Sequence, residues 1–262
     1  MDVVEAIILG AVQGLTEFLP VSSSGHLQIA KALLGVHIDE NITFDVMLHA
    51  ATVLSTVVVM WRELWRLLCG VFSRRFNEEQ AYVLKIVVSM IPAGVVGVLF
   101  ADKIETMFSS LAFVGAMLLV TAALLAFAYF ARPRQKDRVS FRDAFIIGCA
   151  QAAATMPGLS RSGSTIATGL LLGNRKETVA EFSFIMVIPV ILGKMLLDIM
   201  SGDMAAMSVG AAPLAAGFAA AFLTGAFACR FMIETVKRGK LIWFAVYCAA
   251  AGVVAIAGSF AA

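Results

Sequence analysis

The sequence predicts an all-α polytopic membrane protein, an inverted-topology duplication with six transmembrane helices plus two re-entrant helix hairpins. Three observations lead to this fold class. Of the 262 residues, 60% are hydrophobic and 15% are charged, whereas about a quarter of the residues of soluble domains are charged. Apolar stretches long enough to span a bilayer recur along the chain, and its second half repeats features of the first. We therefore expect a single membrane domain over residues 1–262.

Six apolar stretches have the ~17–25 residues that a helix needs to cross a bilayer. They lie at about 44–61, 82–100, 111–130, 182–200, 209–231 and 241–261. Two further apolar segments are interrupted, at 4–18 then 27–34 and at 141–153 then 166–172, and each arm is too short to span. Irregular backbone at membrane depth survives only where protein or a watery cavity satisfies its polar groups. We therefore expect two re-entrant hairpins, with a pair of interfacial helices as the alternative.

The two interrupted segments repeat each other. The pairs Gly10 and Gly148, Gln13 and Gln151, Ser22 and Ser160, Ser24 and Ser162, and Gly25 and Gly163 are each 138 residues apart. Repeat one covers about 1–131 and repeat two about 139–262. Each repeat contains one hairpin and three spans, and an odd number of spans forces the second repeat to be inverted in the membrane.

Basic residues are concentrated in three of the loops between the predicted spans. They are Arg62, Arg66, Arg74 and Arg75 after the first span, Arg132, Arg134, Lys136 and Arg138 after the third, and Lys237, Arg238 and Lys240 after the fifth. The positive-inside rule makes these loops cytoplasmic. The first hairpin then enters from the periplasm and the second from the cytoplasm, so that their polar turns meet inside the protein. A net charge of +2 is too small to indicate nucleic-acid binding, and we expect membrane lipids as partners.

The first hairpin carries the string QGLTEFLPVSSSGH over residues 13–26. Gln13 and Glu17 are four residues apart and share a helical face. A glutamate at membrane depth is costly and by default marks a functional site. Amide and carboxylate oxygens suit Mg²⁺ or Ca²⁺ that is held partly by substrate phosphates. We therefore predict a divalent-cation site at Gln13 and Glu17, with a pair that braces the hairpin as the alternative.

Ser23 and His26 begin the second arm of this hairpin, three residues apart. If that arm starts as helix, the spacing suits a nucleophile and its base. His26 takes up the hydroxyl proton, and Glu17 orients the histidine or holds the metal. A lone Ser-x-x-His is a weak signal, and His26 itself is the alternative phosphate acceptor.

The second hairpin carries PGLSRSGST over residues 157–165, directly before an apolar arm. Small residues, hydroxyls and one guanidinium at a helix N-terminus predict an anion site, in which backbone N–H groups face a phosphate and Arg161 binds it bidentately. The substrate-binding candidates are Ser160, Arg161, Ser162 and Thr165. Because the duplication aligns Ser23 with Arg161, one copy is predicted to supply the attacking group and the other to bind the anion.

The two strings resemble the signature motifs of the undecaprenyl-diphosphate phosphatase family of the bacitracin-resistance type, and the layout is similar over essentially the whole chain. The resemblance implies hydrolysis of undecaprenyl diphosphate to undecaprenyl phosphate and phosphate, in cell-wall lipid recycling at the bacterial inner membrane. It also implies a required divalent cation and a site open to the periplasm. The active-site residues that it implies are Glu17, Ser23, His26, Ser160, Arg161 and Thr165. The family allows Glu or Gln at Gln13, so this chain would hold a cation with one charge less.

A secondary transporter or lipid flippase for polyprenyl phosphates is the alternative function, because inverted repeats with broken helices are also transporter architecture. A carrier would not need the complete set of Ser23, His26 and Glu17 facing Arg161. Asp45 and His49, four apart at the start of the first span, either line the entrance or pair with each other, and we leave them outside the catalytic set. The sequence leaves open a homodimer.

Overall fold

The computed structural model describes residues 1–36, 42–107, 110–131, 135–200 and 209–260. Within these ranges the chain is helical apart from turns and one isolated β-bridge, between Lys136 and Asn174. The helices are α1 (Val3–Phe18), α2 (Ser23–Leu34), α3 (Ile42–Val59), α4 (Trp61–Val71), α5 (Glu78–Leu99), α6 (Ala101–Met107), α7 (Leu111–Phe130), α8 (Phe141–Ala153), α9 (Arg161–Leu171), α10 (Lys176–Met200), α11 (Ala211–Arg238) and α12 (Ile242–Ser259). The prediction of an all-α fold is confirmed.

Five helices, α5, α7, α10, α11 and α12, are long and apolar enough to cross a membrane. A sixth span is reached if α3 and α4 are taken together, although the chain bends by 82° between them. The prediction of a polytopic membrane protein is therefore confirmed. Arg132 and Arg134, which helped to orient the predicted spans, lie outside the described residues.

The two interrupted segments form helix pairs, α1 with α2 and α8 with α9. The helix of each second arm begins before its apolar stretch, α2 at Ser23 rather than at 27 and α9 at Arg161 rather than at 166. The first turns of α2 and α9 consist of Ser, Gly, His, Arg and Thr, and so they carry no apolar periodicity. The start of α9 is instead fixed by its cap, because the Ser160 hydroxyl accepts a hydrogen bond from the Gly163 N–H at 3.1 Å.

Two short helices were not predicted from the sequence. The first is α4, which follows the bend after α3 and buries Leu67 while it exposes Trp61 and Trp65. The two tryptophan rings stack with their centroids 5.7 Å apart. An amphipathic helix with exposed tryptophans is typical of a segment lying along a membrane surface. The second is α6, a seven-residue helix between α5 and α7.

The first arm of each hairpin packs against a long helix of the other predicted repeat, α1 against α11 and α8 against α5. Small residues allow both approaches. A Cβ atom at Gly10 would collide with the backbone carbonyl of Gly217, and one at Gly148 with that of Ser89. Helices α7 and α12 pack against each other. The same kind of contact is therefore made by both predicted repeats, and the inverted duplication stays a prediction.

Candidate active site

The two hairpins meet where the Glu17 carboxylate contacts the Arg161 guanidinium. Glu17 lies in the last turn of α1 and Arg161 begins α9, and their side chains form an ion pair. The carboxylate is 5% exposed and the guanidinium 22%, so the pair is largely removed from solvent but is accessible from the arginine side. This internal ion pair joins the turn that is predicted to supply the nucleophile with the turn that is predicted to bind phosphate.

Glu17 also organises the other polar groups of the first hairpin. One carboxylate oxygen faces Arg161, while the other accepts hydrogen bonds from the Ser23 hydroxyl at 2.6 Å and from the Gln13 amide at 3.0 Å. The amide oxygen of Gln13 is buried and has no hydrogen-bond partner among the described residues. Gln13 and Glu17 therefore share a helical face, as expected, and the Gln13 amide oxygen on that face lacks a hydrogen-bond partner.

The backbone at Ser22 is held in an unusual conformation. Its φ angle is 70° and its ψ angle 96°, a region that L-residues other than glycine rarely adopt. The strained peptide precedes Ser23, and the Ser22 carbonyl accepts a hydrogen bond from the His26 backbone N–H at 3.2 Å. Backbone strain of this kind persists only where the surroundings enforce it, and it is concentrated at functional sites.

The second turn, residues 154–160, is fixed by hydrogen bonds to α7 and to the first hairpin. The Thr121 hydroxyl on α7 accepts from the Ser160 N–H at 3.0 Å and lies 3.3 Å from the Gly158 carbonyl. The Ser162 hydroxyl donates to the Leu19 carbonyl at 3.1 Å, which ties the start of α9 to the first turn. Gly158 has a φ of +89°, which a residue with a side chain rarely adopts. The turn is therefore held rigidly beside Glu17.

His26 is placed differently from the sequence prediction. One ring nitrogen, Nδ1, lies 2.9 Å from the Ser22 carbonyl oxygen, and the other, Nε2, lies 2.6 Å from the hydroxyl of Tyr247 on α12. The expected direct pairing of Ser23 with His26 is not formed, because the Ser23 hydroxyl donates to Glu17 instead. Glu17 is therefore the immediate acceptor for the Ser23 proton in this conformation.

The remaining substrate-binding candidates are buried. Ser160 and Thr165 are 1% and 2% exposed. The Thr165 hydroxyl lies 3.0 Å from the Arg161 carbonyl oxygen, so it stabilises the first turn of α9. The Ser160 hydroxyl caps the same helix. In this conformation both residues shape the helix N-terminus on which Arg161 stands.

Asp45 and His49 do not pair through their side chains. The Asp45 carboxylate accepts a hydrogen bond from the amine of Lys31, which is 3% exposed, at 2.6 Å. The His49 ring donates from Nδ1 to the Asp45 carbonyl oxygen at 2.8 Å, and it interacts electrostatically with Glu17. His49, a residue of α3, thus lies near the site. The position of Asp45 and His49 at a helix start did not predict this.

Tyr247, Lys31 and Thr121 were missed by the sequence analysis. Tyr247 and Thr121 carry hydroxyls within apolar spans, and Lys31 is a charged residue in an otherwise apolar arm. A polar group in such a segment needs a partner inside the protein, and this is the signal that was available. Each partner lies on another helix or turn, at a separation of 221 residues for His26 and Tyr247 and of 14 for Lys31 and Asp45, so the contacts themselves could not be predicted.

The protein-family model described as bacitracin resistance protein BacA matches residues 6–254. The chain belongs to this family.

Relatives share the whole length of the chain. The protein of Parabacteroides distasonis is 60% identical over 97% of each chain, and that of Bacteroides thetaiotaomicron is 56% identical over 98% of each. A more distant relative from Methanosphaera stadtmanae is 39% identical over 98% of each chain. All three are named undecaprenyl-diphosphatase. These names do not favour the transporter or flippase alternative.

Proposed function

We propose that this chain hydrolyses undecaprenyl diphosphate to undecaprenyl phosphate and inorganic phosphate. Relatives that are 56–60% identical over nearly their whole length are named for this activity. The contact between Glu17 and Arg161 is the observation that carries the proposal in this chain. This contact brings Arg161, the anion-binding group of the second hairpin, to the first hairpin. The first hairpin carries the Glu17 carboxylate, the Ser23 hydroxyl and the His26 imidazole.

Arg161 binds the diphosphate in this proposal. Its guanidinium contacts Glu17, and an incoming phosphate competes for the same donors with a higher charge. A planar guanidinium binds two phosphate oxygens at once. The N-terminus of α9, capped by Ser160, adds its partial positive charge and its backbone N–H groups. Substrate binding thereby also releases one oxygen of Glu17.

Ser23 is the proposed nucleophile. Its oxygen attacks the terminal phosphorus while the bond from that phosphorus to the bridging oxygen breaks, and undecaprenyl phosphate leaves with the electron pair. The hydroxyl proton passes to Glu17, to which it is already hydrogen-bonded at 2.6 Å. Arg161 offsets the charge on the transferred phosphoryl group, since such transfer depends mostly on positioning and charge stabilisation.

A water molecule completes the turnover. Its oxygen attacks the phosphoserine, one of its protons moves to His26 Nε2, and Glu17 returns its proton to the Ser23 oxygen as the phosphorus–oxygen bond breaks. Free phosphate leaves, and His26 loses its proton to solvent. Separate proton acceptors for the two steps, Glu17 for attack and His26 for water, suit a two-step displacement.

A divalent cation is part of the proposal, and the donor set fits one. The buried Gln13 oxygen without a hydrogen-bond partner and the Glu17 carboxylate are hard oxygen ligands, and Mg²⁺ takes its remaining ligands from water and phosphates. Among the described residues no cluster of three His, Cys, Asp or Glu residues offers an all-protein site. Gln13 and Glu17 would hold the cation, which neutralises phosphate charge when bound.

The isoprenoid tail is proposed to lie beside the second turn. A cavity of about 680 Å³ lies between α5, α6 and α8, and Met156 of the turn forms one end of it. Its lining is mostly apolar, from Ile91 on α5 to Phe145 on α8, and the polar residues in it are Lys103 of α6 and Thr155 of the second turn. The Met156 carbonyl accepts a hydrogen bond from the Leu159 N–H at 3.2 Å. Leu159 lies two residues before Arg161. A tail in this cavity would leave its head group at the anion site.

The site is proposed to serve the periplasmic face of the bacterial inner membrane. Basic residues after the first and fifth spans put those loops in the cytoplasm by the positive-inside rule, and the first hairpin then enters from the periplasm. The exposed tryptophans of α4, next to Arg62 and Arg66, support an interfacial position on the cytoplasmic side.

The test is phosphate release from farnesyl or undecaprenyl diphosphate by purified protein, with and without EDTA. We expect release by the wild-type protein, its loss on adding EDTA and its return with Mg²⁺ or Ca²⁺. A wild-type protein that binds the diphosphate and releases no phosphate under any of these conditions would refute the proposal. Release that EDTA leaves unchanged would refute only the cation.

A further inference from the structure

The imidazole of His26 is held between two partners. Its Nδ1 lies 2.9 Å from the Ser22 carbonyl oxygen and its Nε2 lies 2.6 Å from the Tyr247 hydroxyl. The histidine and tyrosine rings also stack, with centroids 5.6 Å apart and planes inclined by 21°. Tyr247 comes from α12, at the far end of the sequence, so this contact is a tertiary one.

These contacts determine where the proton of a neutral His26 lies. A carbonyl oxygen can only accept a hydrogen bond, so Nδ1 must carry the hydrogen that points at Ser22. The lone pair of the neutral ring is then on Nε2, and the Tyr247 hydroxyl donates to it. A hydroxyl can also accept, so by rotating it can receive the hydrogen of a protonated Nε2. A phenylalanine could stack in the same way, but it could do neither.

Packing does not account for Tyr247. Its side chain is 47% exposed, so the buried part alone does not require a hydroxyl at this place. The hydroxyl meets the one imidazole in the first hairpin. Its position therefore calls for an explanation in terms of His26.

We propose that Tyr247 passes a proton from the attacking water to His26, an inference that rests on the proposed function. Before turnover its hydroxyl donates to Nε2 and occupies the one lone pair of the neutral ring. When the attacking water gives up a proton, the Tyr247 oxygen takes that proton while its own hydroxyl hydrogen passes to Nε2. The new Nε2–H then donates to the Tyr247 oxygen. Tyr247 thus contacts the attacking water and does not contact the phosphate.

The first experiment reads the His26 tautomer directly. Nitrogen-15-labelled histidine reports the protonation of each ring nitrogen, and the chain has only three histidines, so His26→Gln assigns the signal. We expect the wild-type protein at neutral pH to carry the hydrogen on Nδ1, and Tyr247→Phe to shift the Nε2 resonance and mix the tautomers. A wild-type His26 with its hydrogen on Nε2 would overturn the inference, whether or not Tyr247→Phe folds and whether or not phosphate is released.

The second experiment measures turnover. Loss of the proton path to His26 should lower kcat roughly 10- to 100-fold in Tyr247→Phe, with KM nearly unchanged because Tyr247 does not touch the phosphate substrate. Tyr129→Phe is the matched control, since Tyr129 is also about half exposed and its ring lies against Phe130 on α7. Equal kcat values and equal His26 spectra for the two variants would overturn the inference.

Discussion

The ends of the two first arms, α1 and α8, occupy equivalent places in the predicted duplication but differ in chemistry. In α1, Gln13 donates to the Glu17 carboxylate, which in turn binds Ser23 and Arg161. In α8, the equivalent Gln151 is 2% exposed, yet neither of its amide atoms has a partner among the described residues. The residue four positions later is Thr155, whose hydroxyl donates to a backbone carbonyl.

This difference shows how one site is assembled from two similar hairpins. The negative charge is at the end of α1 only, and the positive charge that meets it begins α9. Neither hairpin holds a complete set of groups, and the ion pair joins them into one site. The predictions below test this division of roles, from the largest expected effect to the smallest.

The largest effect is expected from Arg161→Ala. Removing a charged donor that stabilises a transition state costs about 10²–10³ in rate, so kcat/KM should fall by that factor. Arg161→Lys should recover part of this loss, because an ammonium keeps the charge and loses the two-pronged geometry. Phosphate release from farnesyl diphosphate is the measurement, and Arg230→Ala, an exposed arginine of α11, is the control. An alanine variant within twofold of the control would contradict the assignment.

A matched pair of substitutions tests the comparison between α1 and α8. Gln13→Leu should lower kcat/KM roughly tenfold, because the Glu17 carboxylate loses a charge-assisted hydrogen bond. Gln151→Leu should leave kcat/KM unchanged and leave the thermal unfolding temperature equal or higher, because a buried amide without partners is replaced by an apolar group. Kinetics and thermal unfolding in detergent measure both. Equal losses of activity in the two variants would mean that the hairpins share the chemistry equally.

The smallest effect is expected in the proposed tail cavity. Ala153 is exposed and lines it, so Ala153→Phe fills space without disturbing the core. KM for farnesyl diphosphate should rise roughly 3- to 10-fold, as for other changes of a few methylene groups in an apolar pocket, and KM for isopentenyl diphosphate should not change. Ala250→Phe, on the exposed face of α12, is the control. If both substrates respond alike, the tail lies elsewhere.

Much of the fold was predictable because the membrane imposes simple rules on sequence. Long apolar stretches predicted the spans, and the Pro, Gly and Ser residues within shorter ones predicted the hairpins. The short helix α4 was missed because its first residues, Trp61 and Arg62, resemble the end of a span followed by a cytoplasmic loop. The helices α2 and α9 begin before the apolar stretches at 27 and 166, because the residues of a capped first turn carry no apolar periodicity.

The candidate site was predictable only within each hairpin. The spacing of Gln13 and Glu17 fixed their shared face, and that contact is present. The pairing of Ser23 with His26 was expected from a local spacing of three, but the hydroxyl instead meets Glu17, which lies six residues away across the turn. The partner of His26, Tyr247, depends on how α12 packs in the folded protein, which no local pattern encodes.

The division of roles is tested most directly by trapping the transferred phosphate on the protein. Farnesyl diphosphate labelled on its terminal phosphate would be mixed with His26→Ala, quenched and analysed by mass spectrometry of the peptide that contains residues 13–26. The account predicts phosphoserine at Ser23, because attack proceeds and hydrolysis is slowed, and no label when Arg161→Ala or Ser23→Ala is added to that variant. Phosphohistidine at His26 in the wild-type protein, or undiminished phosphate release by Ser23→Ala, would contradict it.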